Sequence, residues 1–170
     1  MTLCVALLGG SFDPVHNGHV ALAALFANLL HPDQLRIVPA GNPWQKNRLQ
    51  ASAQERVDML ELAFKAAALP VVLDCQEIER GAPTYTIDTL RNVRAELGPQ
   101  ASVVFLMGAD QLLHLDSWRE WRQLFDYAHI GVAGRPGFTL AEAALPAAVA
   151  HELERRLAPL AQLRNTPSGL

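Results

Sequence analysis

Residues 8–19, LGGSFDPVHNGH, end an apolar run on two glycines, turn through Ser-Phe-Asp-Pro, and set His16 and His19 three apart before an Ala/Leu-rich stretch. That succession reads as strand, ligand-facing loop and helix. The preceding LCVALL (3–8) has no polar alternation and reads as a strand buried on both faces. Gly9 and Gly10 lack a Cβ and let a ligand approach the backbone, while Asp13-Pro14 forces a turn. The helix opens near Asn17, where unpaired backbone N–H groups attract anions. His16 and Gly18-His19 share that end, so two imidazoles can donate to neighbouring phosphoryl oxygens. The stretch has neither the G-x-G-x-x-G of dinucleotide folds nor the Gly-Lys-Ser/Thr of a P-loop. Metal ligation competes for the histidines, but no third ligand is near them and Cys4 lies inside the strand.

Outward from this loop, apolar runs alternate with helical patterns. Residues 18–30 read as a helix and LRIVPA (35–40) as a second strand. After the polar GNPWQKNRLQA, Ser52 and Glu55 form a capping-box pattern that opens the amphipathic SAQERVDMLELAFKAA. VVLDC after Pro70 reads as a third strand, EIERGAPT as a loop, and about 85–97 as a helix ended by Gly98-Pro99. SVVFLM (102–107) and HIGVAG (129–134) read as the fourth and fifth strands. Between them about 111–125 is a short helical region carrying Trp118 and Trp121, and 140–157 is an Ala-rich helix broken by Pro146. Alternation of this kind predicts an α/β, Rossmann-like, doubly wound parallel sheet of about five strands with helices on both faces. Ligands bind such sheets at the carboxyl ends of the strands, near the switch in strand order. The loops after residues 8, 40, 75, 107 and 134 then share one edge.

At 170 residues the chain is one domain by the usual length prior, and half its residues are apolar. A net charge of −3 argues against a nucleic-acid binder. VALAALFANLL (20–30) is too short to span a bilayer, and MTLCVALL has no basic leader region. Cys4 and Cys75 sit in strand-like runs and read as two buried thiols of a reducing, cytoplasmic protein.

GGSFDPVHNGH resembles the G-x-F-D-P-x-H-x-G-H signature of the nucleotidylyltransferase superfamily, which implies nucleotidyl transfer from a nucleoside triphosphate with release of pyrophosphate. Three further segments resemble bacterial nicotinate-nucleotide adenylyltransferases: ERGAPTYTIDTL (79–90), FLMGADQLLHLDSWREW (105–121) and GRPG (134–137). The resemblance runs in order from about residue 5 to about residue 137. It implies adenylyl transfer from ATP to nicotinate mononucleotide, giving deamido-NAD in NAD biosynthesis. Phosphopantetheine adenylyltransferase, which shares the histidine loop but not YTIDTL or the tryptophan pair, is the alternative acceptor reading; a non-catalytic nucleotide-binding remnant is the other.

The resemblance also implies roles. Gly9, Gly10, Ser11, Phe12, His16, Gly18 and His19 face ATP, with Gly108 and Asp110 at its ribose and Arg135 near the nucleotide. His16, His19 and Lys46 carry the transfer, and Mg²⁺ arrives with ATP because the sequence offers no carboxylate cluster for a dedicated site. Lys46 stands in GNPWQK where the family has P-P-H-K or P-P-H-R, so Trp44-Gln45 is a departure. Arg56 matches a basic family position. Thr84, Tyr85 and Thr86 lie at a helix start, where hydroxyls and N–H groups suit the nicotinate carboxylate. Tyr85 and Thr86 are assigned to the mononucleotide; Trp118 is assigned to its pyridine ring by stacking, and Trp121 to the core. The family's later I-S-S/A-T-x-I-R segment has no counterpart before NTPSGL, so residues 1–170 are expected to be a single nucleotidylyltransferase domain truncated at its C-terminus.

Overall fold

The computed structural model describes residues 2–41, 49–81, 83–134 and 145–170. Five strands, β1 (Cys4–Gly10), β2 (Gln34–Pro39), β3 (Val72–Leu73), β4 (Ser102–Gly108) and β5 (His129–Ala133), form one sheet in the order β3-β2-β1-β4-β5. Every pairing is parallel, as the strand–helix alternation requires. The helices are α1 (Asn17–Leu30), α2 (Ala53–Ala66), α3 (Gln76–Arg80), α4 (Thr86–Leu97), α5 (Leu124–Tyr127), α6 (Ala147–Arg156) and α7 (Leu160–Asn165).

The period-two geometry of β1 divides the core. Val5 and Leu7 pack with Ile87, Leu90 and Val93 of α4. Ala6 and Leu8 face the other way, against Ala23, Phe26 and Leu30 of α1 and Leu60 and Phe64 of α2. Both faces of the central strand are therefore covered, which explains the unbroken apolar reading of residues 3–8. The order of strands reverses between β1 and β4, and the carboxyl ends of these two strands lie side by side, with Leu8 opposite Leu106. The crevice of a doubly wound sheet opens there.

Three expectations need correction. The third strand is two residues rather than five, and Cys75 is not in it: it is half-buried at the start of α3, whereas Cys4 is fully buried as expected. The segment read as a loop after residue 75 contains α3. The 111–125 region is not one helix but two 3-10 helices, Ala109–Ser117 and Trp121–Gln123, followed by α5. Trp118 stands between them in extended conformation (φ −75°, ψ 141°), so it and Trp121 do not share a helix. In the 140–157 region α6 starts directly after Pro146, while 140–144 lie outside the described residues. The Ser52–Glu55 capping box is present: the serine hydroxyl accepts from Glu55 N at 3.1 Å. Among the described residues no helix is long and apolar enough to cross a membrane.

Residues beyond α7 return to β5. His129, fully buried, places Nε2 at 2.7 Å from the Thr166 carbonyl, and its Nδ1 accepts from Leu170 N at 3.0 Å. This pairing holds the ring neutral with its proton on Nε2. Burial lowers its pKa below the ordinary 6.5, and nearby Arg94 adds to the effect. Above that ordinary value neither the folded nor the unfolded chain holds the proton. As pH falls below it, the unfolded chain binds a proton that the folded chain resists, so His129 reduces stability on the acid side only. His129→Gln, which keeps one donor and one acceptor, should flatten that acid loss, as read from urea-unfolding midpoints between about pH 7.5 and 5.5.

Candidate active site

The loop after β1 is built around α1's first turn. His16 is the N-cap residue, and its Nδ1 accepts from Gly18 N at 3.1 Å. His19 Nδ1 accepts in return from His16 N at 3.1 Å. The rings stack, with centroids 3.7 Å apart and 24° between planes. Since both Nδ1 atoms accept, each neutral ring carries its proton on Nε2. Gly18 is required here by close approach: a Cβ would lie 2.9 Å from His16 Cε1. Part of the helix N-terminus is thereby already occupied, which the sequence reading, with its N–H groups left open, did not foresee.

Phe12 supports this pair. Buried at φ 49°, its ring meets His19 edge-on with centroids 4.8 Å apart. Asp13-Pro14 is a cis peptide, and the Asp13 carboxylate accepts from Gln50 N at 2.6 Å and Ala51 N at 2.9 Å. Arg56, 1% exposed, donates Nη1 to Ser11 O at 2.9 Å and to Ala40 O at 2.6 Å. Burial lowers its pKa from the usual guanidinium range, while Asp13 pulls it back up. The basic position noted in α2 is thus a brace joining the loops after β1 and β2.

The loops of β4 and α4 complete the edge. Gly108 ends β4, and Asp110 opens the 3-10 helix with Oδ1 folded back toward Gly108, 2.8 Å from where a Cβ would stand. Tyr85 is the N-cap residue of α4 and Thr86 its first residue, as expected, while the buried Thr84 turns its hydroxyl to Glu77. Trp118 packs on the core, edge-on to Phe105 at 6.1 Å, and its buried Nε1–H has no partner among the described residues. Trp121 is buried, as assigned. Arg119 was not singled out from the sequence, yet its guanidinium lies 4.6 Å from the Tyr85 ring centroid and joins the two turns. Its place beside Trp118 was the available signal. Lys46 and Arg135 lie outside the described residues. Among the described residues no group of three or more His, Cys, Asp or Glu is placed to hold a metal ion.

The edge therefore places two stacked imidazoles, His16 exposed and His19 half-buried, over a helix N-terminus on one side of the switch point. On the other, Tyr85 at a second helix N-terminus and Trp118 pack against the same core cluster. A polyphosphate suits the first and a flat ring bearing an anion suits the second.

Residues 7–161 match the cytidylyltransferase-like family model. A Herminiimonas arsenicoxydans protein named "Probable nicotinate-nucleotide adenylyltransferase" is 61% identical over all 170 residues, which span 78% of that relative. A Chromobacterium violaceum protein of the same name is 47% identical, with 92% of this chain aligned to 73% of it. A solved Plasmodium falciparum nicotinic acid mononucleotide adenylyltransferase complexed with NaAD superposes with a TM-score of 0.72 at 20% identity, covering 88% of this chain and 70% of that one. At that identity the likeness speaks for the fold.

Replacing Arg56 by methionine should leave the Ser11 and Ala40 carbonyls without their donor. The expected cost is roughly 2–5 kcal/mol of unfolding free energy, measurable by denaturant titration. The loss should exceed that of Lys65→Met on the exposed face of α2.

Proposed function

Because this chain belongs to the nicotinate-nucleotide adenylyltransferases of the cytidylyltransferase-like family, we propose that its carboxyl edge carries out adenylyl transfer from ATP to nicotinate mononucleotide through the residues named above. The observation that carries the assignment is the stacked His16–His19 pair at the N-terminus of α1. The acceptor's phosphate oxygen is already anionic at neutral pH, so no general base is needed. It attacks the α-phosphorus of ATP in line, the α–β bridging P–O bond breaks, and pyrophosphate leaves. Reactions of this kind are accelerated mainly by positioning and by stabilisation of developing charge.

In this reading the His19 Nε2–H donates to an α-phosphoryl oxygen and the His16 Nε2–H contacts the phosphates beside it. Gly9, Gly10, Ser11, Phe12 and Gly18 shape the backbone around them. Asp110, beside Gly108, accepts from the ribose hydroxyls, and Lys46 and Arg135 supply cations to the nucleotide. ATP enters as its Mg²⁺ complex, the ion belonging to the substrate. The acceptor's pyridine ring stacks on Trp118 near Tyr85, and its carboxylate meets the first turn of α4 at Thr86. The tryptophan's indole N–H, without a partner among the described residues, and the α4 helix start support this side of the reading. The relatives favour nicotinate mononucleotide over phosphopantetheine as acceptor. Two unpaired thiols support a cytoplasmic setting.

His19→Ala should lower kcat by about 10²–10³, with much less effect on ATP binding, because one preorganised donor to the developing charge is lost. Steady-state kinetics with calorimetric ATP titration checks this; wild-type turnover at saturation would remove His19 from the chemistry.

Wild-type kcat/KM should favour nicotinate over nicotinamide mononucleotide, and Thr86→Val should erode that preference by about tenfold, the scale of one hydroxyl contact near a helix N-terminus. Equal values for the two acceptors in the wild type would overturn the carboxylate assignment.

A further inference from the structure

Glu77 is the least expected residue near the edge. It sits on α3, which is only five residues long, and burial raises its pKa above the ordinary 4.5 despite Arg80 one turn on. Its Oε2 accepts from Thr89 Oγ1 at 2.7 Å, and the Thr84 hydroxyl also bonds to the carboxylate. Both threonines are buried, at 1% and 4% exposure. Arg80 Nη2 lies 3.5 Å from the same Thr89 hydroxyl. Covering a carboxylate is unfavourable in a way that an apolar contact between helices is not. What this carboxylate obtains in return is directional: it grips the chain at residue 84 and at residue 89, on either side of Tyr85 and Thr86. Apolar packing would leave that segment freer to slide along α3.

The backbone of α3 is also closely approached from the end of β2. Gly41, which follows the end of β2, lies so close to α3 that a Cβ there would overlap the Glu77 carbonyl oxygen and stand 3.0 Å from Ile78 Cα. Ala40, its neighbour, is the residue whose carbonyl Arg56 holds. A continuous set of contacts thus runs from the histidine loop through Ser11, Arg56, Ala40, Gly41 and Glu77 to Thr84 and Thr89.

We propose that Glu77 is a positioning residue for acceptor binding: from α3, its carboxylate fixes the Tyr85–Thr86 turn relative to the histidine loop, and so sets where the mononucleotide's phosphate meets the α-phosphorus. This rests on the reading that Tyr85 and Thr86 receive the mononucleotide. Glu77 itself touches neither substrate; it acts through the two threonine hydroxyls.

The test uses Glu77→Gln, Thr89→Val and Thr89→Ser in the full chain, with Thr86→Val as the reference for direct contact. Thermal melts establish that each variant is folded. Glu77→Gln and Thr89→Val should each raise KM for nicotinate mononucleotide about tenfold or more, the scale on which small misplacements act. KM for ATP should stay within about twofold, and Thr89→Ser, which restores the hydroxyl, should return acceptor KM close to wild type. If Glu77→Gln fails to fold, the Thr89→Val and Thr89→Ser pair decides alone. Equal losses for both substrates, or acceptor KM unchanged in Thr89→Val while Thr86→Val raises it, would overturn the positioning role. Acceptor KM unchanged in Thr86→Val would instead overturn the acceptor turn itself, and the proposal with it.

Discussion

The guanidinium of Arg56 governs the geometry of the carboxyl edge. It lies under the loops after β1 and β2 and donates to one backbone carbonyl from each, Ser11 and Ala40. Both residues lie just past the ends of their strands, so the ladder does not satisfy those carbonyls. A buried cation between them supplies what the sheet no longer does past Gly10 and Pro39. The Asp13 carboxylate, engaged by Gln50 N and Ala51 N, keeps the second loop's return beside the first. The positive charge is retained beneath a site proposed for phosphates, where it adds to the field of the α1 N-terminus rather than opposing it.

How much of this was legible depended on whether the controlling interaction is local. β1, β2, β4 and β5 follow from long apolar runs, and the histidine loop follows from residues adjacent in sequence, including its helix start at Asn17. The Ser52–Glu55 cap is legible for the same reason. VVLDC looks like a full strand on composition, yet only Val72 and Leu73 find a partner in β2. α3 was missed because five residues are too few for a helical period to show, and its N-cap, Cys75, makes no side-chain cap bond. The Trp118–Trp121 spacing suits an α-helix, but the chain there runs as 3-10 turns separated by three residues, with Trp118 extended and Glu120 left-handed.

Contacts at long range were the least legible. Arg119 over Tyr85 joins residues thirty-four positions apart, and the mutual capping by His16 and His19 replaces the open helix end that composition alone suggests. The proximity of α3 to Gly41 is visible only once both loops are folded, since nothing in Gly41-Asn42-Pro43 says which backbone will press on it.

The strand order has a consequence for how such a site can change over time. The apparatus proposed to face phosphates is drawn from β1, α1 and α2, and its props, Phe12, Asp13 and Arg56, come from within the first third of the chain. The apparatus proposed to face the acceptor's ring is drawn from α4 and the segment after β4, propped by Glu77, Thr89 and the core around Phe105. The two meet along a narrow seam at Gly41 and at the paired ends of β1 and β4. Selection can therefore redraw the second half for a different acceptor while the reactive half stays in register, much as a tool holder accepts a new bit without being recut.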